Sequence, residues 1–444
     1  MTEQPDTPPR PDPRPHALAP HGVDAVAALA HERVDHRFKG LPPDAAGRTV
    51  GELAAQRRAL FDGGFTTPVL ALSADALEHN LAALERYTGR HGLAFAPHGK
   101  TSMAPALFAR QVERGAWGIT VATVAQARVC QAFGVRRVFL ANELVDAAAL
   151  RWVAGALAAD PGFRLVCYAD SERGVALMDA ALAGAPRPVE VVVELGAGAG
   201  SRTGARDAER CVAVARAVAA SPVLRLAGVA GYEADMPEPS ADRVAAWTRR
   251  LAALAVALDE RGLFDGLDEV IVSAGGSAWF DAVTGVLEEF GQPLSVPVLK
   301  LLRSGAYVSH DDVQYARLTP FNRVPHEGGL RAAFTLWAQV VSRPEPGQAF
   351  VNAGKRDAPQ DLHLPVPKLV RSLDTGAVRP AAGLAVTRLS DQHAWLDVAE
   401  GTELAVGDWV GLGLSHPCTV FDRWQLIPLV AADGTVVDYV RTFF

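Results

Sequence analysis

Leu93-Ala94-Phe95-Ala96-Pro97-His98-Gly99-Lys100-Thr101-Ser102-Met103-Ala104-Pro105 is the stretch whose reading governs the rest of the chain. Its first four residues are apolar and read as a buried strand. Pro97, Gly99 and Pro105 then impose a shaped turn rather than a continuing strand or helix. Lys100 therefore stands just past the carboxyl end of a strand. Desolvated there, its amine would shift toward the neutral, nucleophilic form that a Schiff-base lysine requires. A single loop lysine is ordinarily just surface charge, so its meaning depends on what surrounds it.

The same unit repeats downstream. Apolar, non-alternating runs recur at 118–122, 138–141, 163–168, 189–195, 226–232, 269–273 and 298–303. Amphipathic helical patterns separate them near 102–113, 123–133, 146–158, 171–184, 206–220, 240–263 and 277–289. Strict strand–helix alternation, with strands apolar on both faces, predicts a parallel sheet covered by helices. An open doubly wound sheet alternates in the same way, but eight such strands favour a (β/α)8 TIM-like barrel. The barrel is expected over 66–325, entered by a strand at 67–72 and a helix capped by Ser73. Before it, 1–22 is rich in proline and charge and is expected to be a flexible arm. Residues 23–65 carry helical patterns at 24–37 and 43–61. From 326 to 444, short β-like runs broken by Gly, Pro and Asp predict a C-terminal β domain.

At 444 residues and 49% hydrophobic content the chain can bury a large core. Its formal net charge of -7 runs against a nucleic-acid partner. No apolar run is long enough for a membrane span, and no basic-then-apolar leader is evident, so a cytoplasmic protein is expected. Cys130, Cys167 and Cys211 fall in apolar patterns and read as core thiols. Cys418 does not.

Ligands of a parallel barrel gather at the carboxyl ends of its strands. Thr123 and Asn142 follow the second and third runs, Arg202 the fifth, and Tyr232 ends the sixth. The seventh enters Ser273-Ala274-Gly275-Gly276-Ser277, where glycines let backbone amides approach an anion ahead of a helix N-terminus. Barrels hold phosphate at this place, although a plain tight turn with a serine cap has the same sequence. The eighth ends in Arg303-Ser304-Gly305-Ala306-Tyr307. The glycine-rich run from Gly196 to Gly204 lacks the G-x-G-x-x-G spacing and reads as a turn carrying Arg202. His416-Pro417-Cys418 sets an imidazole and a thiol one residue apart, a pair suited to a divalent metal and equally compatible with packing roles. A sugar-cleaving barrel would need paired carboxylates; Glu194 and Asp170 are available, and nothing in the sequence pairs them.

Taken in order, Pro97-His98-Gly99-Lys100-Thr101, the turn at 273–277, the segment 303–307 and His416-x-Cys418 resemble the fold-type III pyridoxal-phosphate enzymes. The similar branch contains D-serine dehydratase and D-threonine aldolase, with an alanine-racemase-like barrel and a C-terminal β domain, and the resemblance spans about residues 66–425. It implies pyridoxal 5'-phosphate on Lys100, its phosphate at Gly275, Gly276 and Ser277, and Arg202 and Tyr232 beside the cofactor. It places Tyr307 on the phosphate or substrate side and a divalent metal on His416 and Cys418. It further implies a small D-amino acid as substrate and a homodimer. His-x-Cys resembles the dehydratases, with zinc, whereas the aldolases tend to His-x-Asp and a harder ion such as manganese. D-serine dehydratase-like deamination is therefore the expected reaction. Aldol cleavage to glycine, as by D-threonine aldolase or 3-hydroxy-D-aspartate aldolase, and racemisation are the alternatives. The added β domain argues against a cofactor-homeostasis protein.

Overall fold

Beyond a strand β1 (Val69–Ser73), eight parallel strands form a ring: β2 (Ala94–Phe95), β3 (Ile119–Val121), β4 (Arg137–Glu143), β5 (Arg164–Ala169), β6 (Val189–Glu194), β7 (Leu224–Ala230), β8 (Val270–Ala274) and β9 (Val298–Leu302). The computed structural model describes residues 18–291 and 294–444. The arm expected over 1–22 lies outside them as far as residue 17, and from Pro20 the chain is already helical. Each strand from β3 to β9 pairs with the next, and β9 pairs with β2. The ring closes between β2 and β3 through a parallel bridge from His98 to Thr120, with Thr120 N–H on the Pro97 carbonyl at 2.8 Å. This closure distinguishes the barrel from an open doubly wound sheet.

Local sequence explains the regularity. The helices between strands begin on side-chain caps: Thr123 accepts from Gln126 N–H, Asp146 from Ala149, Ser171 from Gly174, Asp207 from Arg210 and Ser240 from Arg243. Each cap satisfies an amide that the first helical turn leaves unpaired. Inside the ring, Trp117, Phe139, Val166, Tyr168, Val192, Ile271, Leu299 and Leu301 form a continuous buried layer. The barrel is thus packed along its axis, and chemistry is confined to the ends of the strands.

β1 departs from expectation. It lies in the C-terminal sheet, antiparallel to β10 (Phe334–Glu345) and parallel to Leu426–Val430, so it is not an entry strand of the barrel. Leu70 and Leu72 pack into the main core, while Val69 and Ala71 pack with Val34, Phe38, Leu53 and Trp337. A strand central to that sheet needs two apolar faces, as a barrel strand does, so the two have the same sequence pattern. The expected helices upstream are also shorter. Pro20–Ala28 passes into a 3-10 turn, Leu29–His31, and ends there. Asp35 accepts the Arg37 N–H at 2.9 Å, a local bond that competes with helix. Only Val50–Ala55 of 43–61 is α-helix, set by a Thr49/Glu52 capping box.

β10 also pairs with Trp409–Gly413, and the chain segment after that strand carries His416 and Cys418 back to the barrel mouth. Cys130, Cys167 and Cys211 are buried free thiols. Among the described residues no helix is long and apolar enough to cross a membrane.

Candidate active site

Lys100 lies in the 3-10 turn Gly99–Thr101 just past β2 and faces a cavity of about 400 Å³ at the carboxyl ends of the barrel strands. Burial lowers its ammonium pKa. This outweighs the opposing pull of Cys418, and the nearby Arg202 and Arg303 charges act in the same direction as burial. His98 lines the same wall. Burial holds its imidazole well below the ordinary value, so the ring is neutral, and its Nδ1 is buried without a partner.

Opposite Lys100, the turns after β8 and β9 bring backbone close to the cavity. A Cβ on Gly276 would meet Tyr232 Cε2 at 2.8 Å, and one on Gly305 would meet Thr101 Oγ1 at 2.5 Å. Both positions therefore require glycine if the backbone is to approach so closely. Ser277 Oγ accepts the Ala306 N–H at 3.1 Å and the Gly305 N–H at 3.4 Å, and lies 3.2 Å from Ser304 Oγ. A lysine amine at one side and a concavity of amides and hydroxyls at the other fit pyridoxal phosphate. Of the three residues expected at its phosphate, Gly276 and Ser277 face the cavity. Gly275 instead donates its N–H to Glu233 Oε2 at 3.0 Å, beneath the turn.

Arg202 and Tyr232 also reach the cavity. Arg202 sits at its rim with 72% of its side chain exposed, bonded through Nε to Asp235 at 2.8 Å and 5.8 Å above the Tyr232 ring. Burial pushes the Tyr232 phenol up to about 12. The buried guanidinium of the site is Arg303, 1% exposed. Its Nε donates to Ser273 Oγ at 2.9 Å and it donates to the Gly231 carbonyl at 2.5 Å, over the rings of Phe139 and Tyr168.

Tyr307 does not reach the cavity. Its hydroxyl accepts from Gln111 Nε2 at 2.9 Å and its ring meets Phe95 edge-on, in a smaller pocket against the helix Pro105–Glu113. The 3-10 turn Ala306–Val308 leaves the Ala306 backbone at the cavity and buries the next side chain behind it. The Tyr307 side chain, expected on the phosphate or substrate side, thus lies behind the cavity wall in this structure. Thr123 is a helix cap, whereas Asn142 lines the cavity and donates to the Ala122 carbonyl at 3.2 Å.

His416 and Cys418 close the cavity from the C-terminal domain. His416 has φ +57, and its N–H is held by Asp311 at 3.0 Å. Its Nδ1 is hydrogen-bonded to the Asp361 carboxylate. The hydrogen bond to Cys418, helped by Asp361, pushes the imidazole up to about 9. Burial pushes the Cys418 thiol up, but the hydrogen bonds to His416 and Thr101 and the charges of His416 and Lys100 bring it below its ordinary value. A thiol whose ionisation is eased and an imidazole beside it, with a carboxylate behind the ring, form a donor set that suits a metal. Asp361 lies 55 residues from His416 in sequence and had no motif to reveal it.

A third group also stands at the mouth. Asp170 and Glu194, unpaired in the sequence reading, are joined by Glu143. The β4–β5 ladder slips between Leu140 and Glu143, a bulge at the strand end that helps to re-aim Glu143. Burial, reinforced by the neighbouring Glu194, holds the Glu143 carboxyl well above the usual range, and burial raises Glu194 as well.

The alanine racemase N-terminal domain family matches residues 72–283, and the family described as "Putative serine dehydratase domain" matches 333–430. A D-threonine aldolase from an Arthrobacter species is 28% identical over 378 residues, 84% of this chain and 90% of that protein. A D-threo-3-hydroxyaspartate dehydratase from a Delftia species is 25% identical over 402 residues, 84% of this chain and 97% of that protein. The crystal structure of D-threonine aldolase from Filomicrobium marinum has a TM-score of 0.71 at 27% identity, covering 85% of this chain and 95% of the other. Solved variants of the dehydratase, at 22% identity and TM-scores of 0.69 and 0.66, carry alanine for a histidine and, two positions on, for a cysteine; the second is a metal-free form.

Proposed function

The chain belongs to the fold-type III pyridoxal-phosphate enzymes, and from that premise we propose that it is a lyase for β-hydroxy-D-amino acids which eliminates water, converting a D-serine-type substrate to a keto acid and ammonia. The observation that carries this reading is the placement of His416 and Cys418 on the wall of the cavity that holds Lys100. A thiolate–imidazole pair favours zinc over the harder ions that oxygen donors select. The histidine-then-cysteine spacing also agrees with the pair substituted in the solved dehydratase variants.

When bound, pyridoxal phosphate supplies an electron sink at the substrate α-carbon, and a divalent ion on His416 and Cys418 supplies a Lewis acid for the β-hydroxyl. The protein's own contribution follows from its geometry. Gly276 and Ser277, with the Gly305 and Ala306 amides that Ser277 Oγ accepts in this structure, would hold the phosphate. Lys100, whose burial favours the neutral amine, takes the α-proton at Nζ. The electrons of that C–H bond form the Cα–Cβ double bond as the hydroxyl leaves on the side of His416 and Cys418. Asp361 fixes the His416 ring so that its other nitrogen points at the cavity. The unsaturated amine released hydrolyses to the keto acid and ammonia.

Aldol cleavage is the second reading, supported by the similarity to D-threonine aldolase. There the β-hydroxyl loses its proton, the Cα–Cβ bond breaks, and glycine and an aldehyde leave. Incubation with D-serine, D-threonine and D-3-hydroxyaspartate separates the two. Keto acid with stoichiometric ammonia is expected; glycine plus aldehyde as the main products would overturn elimination in favour of cleavage.

A further inference from the structure

The lysine and the metal pair leave one cluster of the barrel mouth unused. Carboxylate oxygens of Glu143, Asp170 and Glu194, at the tips of β4, β5 and β6, lie within 4.8 Å of one another. Glu194 is 4% exposed. Its Oε2 and both oxygens of Glu143 are buried and meet no hydrogen-bond donor among the described residues. Tyr168, 2% exposed on the same cavity wall, also leaves its hydroxyl unpartnered. Asp170 accepts the Gly204 N–H at 3.2 Å. Arg303, the buried cation nearby, donates instead to Ser273 and Gly231. Three buried acceptors without donors are costly unless a proton or a cation offsets them.

We propose that Glu143, Asp170 and Glu194 form a second metal site that binds a hard divalent cation, distinct from His416 and Cys418. The donor set is all oxygen, which selects the magnesium, calcium and manganese class, whereas the imidazole–thiolate pair selects a softer ion. The spacing is already suitable. Oxygens on opposite sides of a calcium ion stand about 4.6–5.2 Å apart, so one ion can touch all three carboxylates without backbone movement. Occupancy also changes the field at the mouth. A divalent ion there would take the place of the proton that Glu143 holds and offset the remaining carboxylate charge. The site does not depend on the lyase reading, because it is defined by the apoprotein's carboxylates alone.

The test is manganese titration of the full chain followed by electron paramagnetic resonance, in a His416→Ala/Cys418→Ala background that removes the other pair. One manganese ion bound per chain is expected. Adding Glu143→Gln and Glu194→Gln should weaken it by at least about 100-fold, since even neighbours of metal ligands contribute roughly 10–100-fold. Thermal melting checks that each variant is folded, and Asp170→Asn gives an independent route to the same loss. Absence of bound manganese in the folded background variant overturns the proposal, as does binding that survives the carboxylate substitutions. An infrared carboxylic-acid band that persists at saturating manganese and disappears in Glu143→Gln would assign the compensating charge to a proton and overturn it equally.

Discussion

The two flanks of the barrel mouth carry opposite chemistry, and of the acidic trio Glu194 lines the cavity. On the side of β8 and β9, amides and hydroxyls converge around Gly276, Ser277, Gly305 and Ala306, with Arg303 buried near them. On the side of β4 to β6, the tips carry Glu143, Asp170 and Glu194. Lys100 enters from β2, and His416 and Cys418 arrive from the other domain. In the proposed reading an anion is assigned to the first flank and a cation to the second. A zwitterionic substrate bearing a β-hydroxyl can be oriented between them without a dedicated binding loop.

Each part of this contrast can be broken separately. The largest effect is expected at Lys100, where Lys100→Ala should lower turnover by about 10³-fold or more through loss of both the anchor and the proton acceptor. Steady-state assays check this, and an intact melting transition separates it from unfolding. On the donor flank, Gly276→Val puts a side chain where Cβ already meets Tyr232 at 2.8 Å. Overpacking of about 1–3 kcal/mol predicts pyridoxal phosphate affinity roughly ten- to a hundredfold weaker, read by cofactor titration. At the domain junction, Asp361→Ala should weaken metal binding by about 10–100-fold while leaving cofactor binding intact, because it acts through His416. Chelator competition measures the first and absorbance the second.

The acceptor flank should reveal itself in pH dependence. Glu143 holds its proton more tightly when folded than at its ordinary value of 4.5. Above that pH the unfolded chain has released a proton that the native state retains. Stability of the metal-free protein should therefore fall as pH rises, until the native carboxyl also ionises. Denaturant midpoints across pH should show this slope, and Glu143→Gln should flatten it. The smallest effect is expected at Tyr307. Tyr307→Phe removes one buried hydrogen bond from Gln111, worth about 1 kcal/mol, and should leave turnover unchanged.

The barrel and its lysine were legible in the sequence because both are local: an apolar run, a turn residue and a helix cap recur with each unit. That Gly276 and Ser277 form a turn at the cavity was legible for the same reason, whereas the Gly275 amide is taken by Glu233 from another loop. β1 was misplaced because the centre of an antiparallel sheet and a barrel wall demand the same apolar residues. Asp170 and Glu194 were visible at their strand ends, but Glu143 reaches them across a bulge that residue alternation does not announce. Asp361 touches the site only through a histidine from a distant segment, so its role depends on tertiary structure. Tyr307 sits in a motif that faces the cavity, yet its own side chain turns behind it to Gln111.

The central claim is that Lys100 is the covalent anchor of pyridoxal phosphate between these flanks. Borohydride reduction of the purified enzyme followed by peptide mass spectrometry tests it directly. A reduced pyridoxyl group on the peptide containing Lys100 is expected, together with loss of visible absorbance. An unmodified Lys100 peptide from cofactor-saturated, reduced protein would contradict it.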